Sequence, residues 1–168
     1  MGSAGAGVVG LQNAGGSVFD SIVYAERTAG QWMAGSDFFN RTPVNNGGPA
    51  ESLTSEIMLA IVYNDDNSIQ IYRQGVLYAN YTQGSLVNFV GTSTATFGRR
   101  VSGSGPEFDG IINEARIYAD GLSAAQIQTL FNLGPNALTA AVVPEPASLT
   151  MLALGLAGLA RRRRSRIA

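Results

Sequence analysis

The sequence contains no cysteine, no histidine and no lysine among its 168 residues. Without cysteine or histidine, the chain forms no disulfides and no zinc sites with thiolate or imidazole ligands. The same absence excludes the Ser-His-Asp and Cys-His nucleophile systems of many hydrolases. Every basic residue is an arginine, and there is a single tryptophan.

Positive charge is scarce over most of the chain. Residues 1–142 carry six arginines and eleven acidic residues, a net charge of −5, and the other five arginines are crowded near the C-terminus. A nucleic-acid-binding domain would need a basic face, so the composition argues against nucleic acid as a partner. A length of about 140 residues is sufficient for one domain.

The first ten residues lack the features of a secretory signal peptide. They contain no positive charge and no apolar run of sufficient length. We expect an export signal, and with it the opening strands of the domain, to lie upstream of Met1.

The last 26 residues, 143–168, combine three features in a fixed order. Val143, Pro144, Glu145 and Pro146 form a stiff turn, because proline fixes φ and lacks a backbone N–H. The uncharged residues 147–160 would span roughly 21 Å as a helix, less than the roughly 30 Å hydrocarbon core. A basic block follows and predicts that the C-terminus stays on the cytoplasmic side, with the preceding chain outside. The block consists of Arg161, Arg162, Arg163, Arg164 and Arg166.

This tail resembles the PEP-CTERM sorting signal of exopolysaccharide-producing Gram-negative bacteria. The resemblance implies that an exosortase, a membrane protease-transpeptidase, recognises the tail near its Pro-Glu-Pro turn and removes it. It also implies transit through the inner membrane and delivery to the cell surface or the extracellular matrix. The tail is also known as the ice-binding protein C-terminal domain, a name that does not itself imply ice binding. A plain C-terminal anchor or a core helix with a basic end is the alternative interpretation.

Short runs with the period of β-strands, separated by turn residues, fill most of the region before the tail. The run 56–63 is almost continuously apolar, which is typical of a central sandwich strand, and the Asx-rich turn 64–68 joins it to a return strand. The predicted strands are 18–25, 31–36, 56–63, 69–73, 76–81, 91–99 and 110–118.

One short helix follows the strands. Ser123 is its predicted N-cap, Gln126 completes a capping box, and Gly134 with Pro135 ends it. Many short strands and one helix predict an all-β, antiparallel sandwich.

The segments 69–75 and 108–133 resemble the LamG-like, concanavalin A-like jelly roll. That family commonly ends in a strand of pattern G-x-I-D-E-V-R-I-Y followed by A-L-S-x-x-E-I. Asn113, Gly121 and Gln126 depart from this pattern, and Asn113 weakens any charge-based role inherited at its position. The matching residues are Gly110, Ile112, Glu114, Arg116, Ile117, Tyr118, Leu122, Ser123 and Ile127.

The predicted organisation is an unassigned segment 1–17, a jelly-roll domain 18–135 that is incomplete at its N-terminus, a linker 136–142, and the sorting segment 143–168 with a hydrophobic helix. In the domain, Trp32, Tyr72 and Tyr78 are candidate sugar-stacking residues, although aromatic residues in a sandwich commonly belong to the core. Asp65 and Asp66 are candidate Ca²⁺ ligands, with a simple hairpin turn as the competing interpretation.

The acidic residues do not form a catalytic pattern. Retaining glucanases need two carboxyl groups about 5–5.5 Å apart, which an E-x-D-x-x-E strand supplies. Here Glu107 and Asp109 are followed by Glu114 on the opposite strand face, with Gly110 between them. The acid spacing therefore argues against catalysis, and the two resemblances together imply a non-enzymatic surface or matrix protein that binds carbohydrate. A glycan hydrolase, or a structural protein without its own activity, is the alternative hypothesis.

Overall fold

In the computed structural model, the described residues are 4–36, 41–43, 48–52, 55–82, 84–85, 89–103 and 105–137. They contain seven strands followed by one helix. The strands are β1 (Ala6–Gln12), β2 (Phe19–Tyr24), β3 (Trp32–Ser36), β4 (Leu59–Tyr63), β5 (Ser68–Arg73), β6 (Val76–Thr82) and β7 (Thr94–Phe97), and the helix is α1 (Ala124–Leu133).

The strands form two antiparallel sheets. Sheet A has the order β3-β2-β1-β7, and sheet B has the order β4-β5-β6. Every strand pairing in both sheets is antiparallel. Two antiparallel sheets with one short helix confirm the predicted sandwich. The predicted C-terminal hydrophobic helix lies outside the described residues.

The first strand corrects the predicted start of the domain. β1 lies within the segment 1–17, which the sequence left unassigned, yet it pairs with both β2 and β7. Its sequence, AGVVGLQ, lacks the apolar–polar alternation of a half-buried strand. The reason is that Gly7 and Gly10 pack where side chains do not fit: a Cβ on Gly7 would lie 2.4 Å from the backbone nitrogen of Arg100.

Two other strand predictions were wrong in part. The strand predicted at 56–63 begins at Leu59 and lies at an edge of sheet B, because its described partner is β5 alone. The strand predicted at 91–99 shortens to β7.

The segment 110–118 is not assigned as a strand. Its residues nevertheless alternate between exposed and half-buried, with Ile111 and Ile117 on the exposed side. No backbone–backbone hydrogen bond joins the segment to another described residue. The alternation expected of a strand is therefore present, but periodicity could not supply a hydrogen-bonding neighbour.

Sheet B is built from two tight hairpins. Arg73 pairs with Val76 across Gln74 and Gly75, which both have positive φ (52° and 77°), as a two-residue primed turn requires. The side chain of Gln74 also extends the sheet: its Oε1 accepts the N–H of Met58 at 2.8 Å, while the N–H of Gln74 donates to the carbonyl of Met58 at 2.9 Å.

The core lies between the sheets. Ile69 and Ile71 of β5 and Ala79 and Tyr81 of β6 pack with Ala34 of β3, and each of these residues is buried. Ile69 is fully buried (0% exposed), and burying such a side chain contributes about 1.5–3 kcal/mol. The alternation of β5 therefore directs one face of sheet B towards sheet A.

The helix prediction is confirmed in detail. The Ser123 side chain accepts the N–H of Gln126, and the Gln126 side chain accepts the N–H of Ser123, which completes the capping box. Gly134 caps the C-terminus. The helix buries Ile127 and Leu130.

The chain divides into two compact units, Met1–Ala137 and Leu138–Ala168. The described residues belong to the first unit. Among them, no helix has both the length and the apolar character needed to cross a membrane. The segments predicted at 143–146 and 147–160, like the basic block, lie outside the described residues.

Candidate functional site

Trp32 is the centre of a hydrogen-bonded cluster that joins sheet A to sheet B. On β3, it donates its backbone N–H to Oη of Tyr78 on β6 at 3.2 Å, and its Nε1–H to Oε2 of Glu51 at 3.0 Å. Glu51 also accepts two hydrogen bonds from Arg73 on β5. The ring centroid of Tyr24 lies 4.9 Å from that of Trp32. Trp32 is 7% exposed, so its ring has no open face for a sugar.

Tyr78 is half-buried and held from two sides. Its hydroxyl donates to the carbonyl of Pro49, and burial raises the pKa of the Tyr78 phenol. Gly48 packs against the ring so closely that a Cβ there would lie 2.5 Å from Cδ2. The tyrosine thus orders the segment 48–52 against sheet B.

Tyr72, on β5, is the third predicted aromatic residue. It is 4% exposed, and its hydroxyl donates to Oε1 of Gln70 on the same strand at 3.0 Å. A sugar-stacking ring needs an exposed face, and the rings of Trp32 and Tyr72 are buried. The three residues do not form one exposed platform, and ligand binding by them stays a prediction.

The carboxylate of Asp66 is engaged by its own turn. Oδ1 accepts the N–H of Ser68 at 2.9 Å, and hydrogen bonds with Ser68 lower the pKa of Asp66. Asn64 closes the same turn through the carbonyl and the hydroxyl of Ser68. Asp65 and Asp66 are both exposed, and the described residues contain no group of three or more Asp, Glu, His or Cys placed to hold a metal ion. The hydrogen bonds of the hairpin turn are sufficient to explain why Asn and Asp occupy these positions. Ca²⁺ binding stays a prediction.

A polar cluster lies inside the sandwich. Oγ1 of Thr42 accepts the N–H of Ala34 at 3.0 Å and lies 2.8 Å from Oη of Tyr81. Burial raises the pKa of Tyr81 to about 12, and burial with the nearby charge of Asp20 raises that of Tyr63 well above its ordinary value. The cluster consists of phenols whose pKa is raised, close to the buried Asp20.

Two arginines, Arg41 and Arg100, pair with Glu26. Arg27 directly follows Glu26 in the chain and Arg99 directly precedes Arg100, and we refer to these four residues as the arginine cluster. Oε1 of Glu26 accepts Nη2–H of Arg41 at 2.8 Å and also a hydrogen bond from Nη1 of Arg100. Arg99 pairs with Glu107, whose side chain is 70% exposed. Arg27 follows Glu26 directly and is exposed. The cluster forms because the turn after β2, the segment after β3 and the segment after β7 meet at Glu26.

An exposed aromatic ring adjoins this cluster in the chain. Phe97, the last residue of β7, is 58% exposed and is followed by Gly98, Arg99 and Arg100. Among the described residues, it is the one aromatic side chain in the group of large exposed hydrophobic residues. Phe97 pairs with Val9 of β1, and β7 is an edge strand of sheet A.

A family model described as the concanavalin A-like lectin/glucanases superfamily (Laminin_G_3) matches residues 4–128, which is more than half of the chain. The chain belongs to the concanavalin A-like lectin/glucanases superfamily. Because the match begins at residue 4, the superfamily domain includes β1, in agreement with its pairing in sheet A.

A second family model, the PEP-CTERM protein-sorting motif, matches residues 142–164. The motif directs membrane transit and extracellular sorting in Gram-negative bacteria, so this superfamily member is an exported protein. No curated protein and no solved structure matches the chain.

Sequence reasoning missed the surfaces that stand out on this lectin/glucanase-type domain. The arginine cluster joins residues separated by 74 positions, Glu26 and Arg100, and no local pattern announces such a contact. Phe97 is the last residue of β7, and the sequence alone does not show which side of that strand is exposed. The available signal was composition: four of the six arginines before the tail belong to the cluster.

Proposed function

We propose that this protein is an exported, surface-sorted binding or matrix protein whose concanavalin A-like domain binds carbohydrate of the exopolysaccharide type without hydrolysing it. One observation carries the proposal: a lectin/glucanase-superfamily domain at 4–128 and a PEP-CTERM motif at 142–164 occur in the same chain. The domain supplies the fold of a sugar binder, and the motif supplies the route to the place where polysaccharide is secreted.

The state of the acidic side chains favours binding over hydrolysis. A retaining glycosidase keeps two carboxyl groups about 5–5.5 Å apart and available to the substrate. In the described part of the chain, Glu26, Glu51, Glu107 and Glu114 are each paired with an arginine. A carboxylate held by a guanidinium is stabilised as the anion and makes a poor general acid.

The proposed partner of the tail is an exosortase. The chain would pass through the inner membrane, be cut near Pro144–Pro146, and remain at the cell surface or in the extracellular matrix. A PEP-CTERM motif at residues 142–164 supports this route.

The sorting half of the proposal is tested with the full chain fused to a working export leader. In a host that has the matching exosortase, we expect a smaller, surface-associated product, and in a host without the enzyme the uncut form at the inner membrane. P144A/P146A should stay uncut, whereas P135A, a proline substitution outside the tail, should be processed normally. An uncut chain in the exosortase host would remove the basis for the assigned location.

The binding half is tested by pull-down of the full chain with neutral and acidic polysaccharides. Reducing ends are measured in the same samples. We expect retention on at least one polysaccharide without release of reducing ends. Release of reducing ends would show a hydrolase, and no retention on any polysaccharide would favour a structural protein.

A further inference from the structure

The segment 110–118 has one face that is exposed along its whole length. Its side chains alternate between exposed and half-buried, and the exposed ones from residue 111 on are Ile111, Asn113, Ala115 and Ile117. Ile111 is 88% exposed and Ile117 is 52% exposed. Six residues of extended chain separate these two isoleucines by roughly 20 Å. The face therefore carries two large apolar side chains and no charged residue.

The backbone of the segment is open to a neighbour as well. Within the described ranges, no backbone hydrogen bond joins its N–H and C=O groups to another residue. A row of unpaired N–H and C=O groups is a template on which another strand can pair. An added strand would satisfy these groups and would bring its own side chains next to Ile111 and Ile117.

Contacts at both ends hold the segment in place. Before it, the N–H of Phe108 donates to the carbonyl of Gly98, directly after β7, at 2.8 Å. After it, Gly121 lies against β4, where a Cβ would be 3.1 Å from Cγ1 of Val62. The segment thus runs from the end of an edge strand of sheet A to an edge strand of sheet B.

The half-buried face of the segment is fixed by polar contacts. Glu114 pairs with Arg116. Oε2 of Glu114 accepts the N–H of Asn136 at 2.6 Å, and Nη2 of Arg116 donates to the carbonyl of Ala137 at 2.8 Å. The two charges of the segment neutralise each other, whereas residues 1–142 as a whole carry −5. Two copies of the domain would therefore repel each other less at this segment than over their average surface.

The order of side chains makes the segment complementary to a copy of itself. An antiparallel pair centred on Glu114 places Ile111 opposite Ile117 of the second copy, and the twofold symmetry repeats this contact. Cross-strand contacts of this kind are the unit of sheet stabilisation. The two Glu114 carboxylates face each other, but each is already paired with Arg116 of its own chain. A pair centred on Ala115 would instead place Ile117 opposite Asn113.

Other occupants fit this face less well. It has no aromatic ring on which a sugar could stack. An anionic bilayer would be repelled by the negative net charge of the domain. A strand from a second copy supplies both the hydrogen bonds that the backbone lacks and the apolar contacts that the isoleucines lack.

We propose that two copies of this chain associate through their 110–118 segments, which pair as antiparallel strands about a twofold axis at Glu114. This inference goes beyond the proposed carbohydrate binding and does not depend on it. One strand pair is a small interface, below the roughly 1,200 Å² of a standard stable complex, so the dimer forms at high protein concentration. A dimer would present two domains to one polymer and so increase the avidity of binding.

Because the chain has no cysteine, disulfide cross-linking is a direct test. The full chain is prepared in mild detergent as N113C and as A115C, and the two variants are oxidised separately and mixed. The proposed pairing places residue 113 opposite residue 115, so the mixture should form a disulfide-linked dimer at least about fivefold faster than either variant alone. A125C, at an exposed alanine of α1, measures chance collisions and any association through the tails.

The apolar contact is tested by adding I111N to both cysteine variants. It leaves Ile117 of the other copy opposite an amide, and we expect cross-linking of the mixture to fall at least about threefold. V90N is the matched control, because Val90 is a 65% exposed apolar residue outside the segment, and it should have no effect. Trp32 fluorescence checks that each variant is folded.

Hydrogen exchange measures the pairing of the unsubstituted chain. The amides of 110–118 should exchange up to about tenfold more slowly at high protein concentration than at low concentration, because pairing protects them. At low concentration the chain is a monomer, and Ile111 stays exposed.

Four results would overturn the inference. Equal cross-linking by the mixture, the single variants and A125C would mean that copies meet by collision or through their tails. Faster cross-linking by A115C alone than by the mixture would contradict the axis at Glu114. Protection of 110–118 that does not depend on concentration would assign its cover to the same chain, and protection that needs added phosphatidylcholine vesicles or dextran would assign it to a membrane or a sugar polymer. The first three results leave the proposed carbohydrate binding untouched.

Discussion

Arg73 and Glu51 are joined by two parallel hydrogen bonds, from Nε to Oε2 at 2.6 Å and from Nη2 to Oε1 at 2.7 Å. The glutamate side chain is 2% exposed, and the indole of Trp32 donates to the same Oε2. The pairing with Glu51 raises the pKa of Arg73, so the charge on the guanidinium is secure. This fork-to-fork contact fastens the segment 48–52 to both sheets.

Removing the carboxylate should therefore destabilise the domain. We expect E51Q to lower the free energy of unfolding by about 3 kcal/mol, because the charge of Arg73 loses its buried partner. Urea unfolding followed by Trp32 fluorescence measures it, since this is the single tryptophan of the chain. The matched control is E107Q, at an exposed ion pair, where we expect a loss below about 1 kcal/mol. Equal losses in the two variants would contradict a structural role for Glu51.

The position of the core predicts that two isoleucines differ in their contribution to the free energy of unfolding. Ile69 is 0% exposed and Ile111 is 88% exposed. We expect I69A to cost about 3 kcal/mol through lost burial and the cavity it leaves, and I111A to cost less than about 0.5 kcal/mol. Urea unfolding of both variants is the measurement. A large cost for I111A would show that a further element covers the exposed face of 110–118.

The capping box of α1 makes a third prediction. S123A removes the oxygen that accepts the N–H of Gln126, and we expect it to cost about 1 kcal/mol. S102A is the control, because the described hydrogen bond of Ser102 uses its backbone N–H rather than its hydroxyl. Urea unfolding and the helical circular dichroism signal should change in S123A alone.

Alkaline pH should destabilise the domain through its buried phenols. Burial raises the pKa of Tyr81 from 10.0 to about 12. In the pH range between 10 and about 12, the unfolded chain loses this proton while the folded chain retains it. The stability contributed by the neutral phenol is therefore fully present below pH 10 and is lost as pH rises towards 12, at up to about 1.4 kcal/mol per pH unit.

Urea unfolding at pH 9 and pH 11 tests this expectation. Y81F should reduce the pH dependence, because phenylalanine has no proton to lose. T42V is the companion variant: it removes the Oγ1 that lies 2.8 Å from Oη of Tyr81, but it leaves the phenol in place. An alkaline titration of tyrosine absorbance that shows Tyr81 ionising near pH 10 in the folded protein would refute the prediction.

Local patterns predicted the elements that depend on local chemistry. The N-cap at Ser123 and the Asx turn before Ser68 were predicted correctly, since their hydrogen bonds join residues two to four positions apart. The class of fold followed from many short periodic runs. β1 could not be predicted, because its glycines are explained by close contacts with Ser21 of β2 and with Arg100, which follows β7.

The candidate sites could not be predicted from local patterns, because they too depend on contacts between residues far apart in the sequence. An aromatic residue in a strand can point inward or outward, and Trp32 was drawn inward by Glu51, a partner 19 positions away in a loop. The arginine cluster depends on Glu26 receiving residues from two other segments. Such sites are decided by topology, which a single sequence specifies only through the whole fold.

The tie between Gln74 and Met58 has a consequence for the residue at the hairpin tip. Asparagine is the favoured residue at the first left-handed position of such a turn. Asparagine is one methylene shorter than glutamine and would not reach the N–H of Met58. Glutamine at position 74 is therefore less favourable for the turn than asparagine. Its side chain instead holds Met58, just before β4. A design that optimised this bend by turn statistics alone would lose the side-chain hydrogen bond to Met58, next to the edge strand β4.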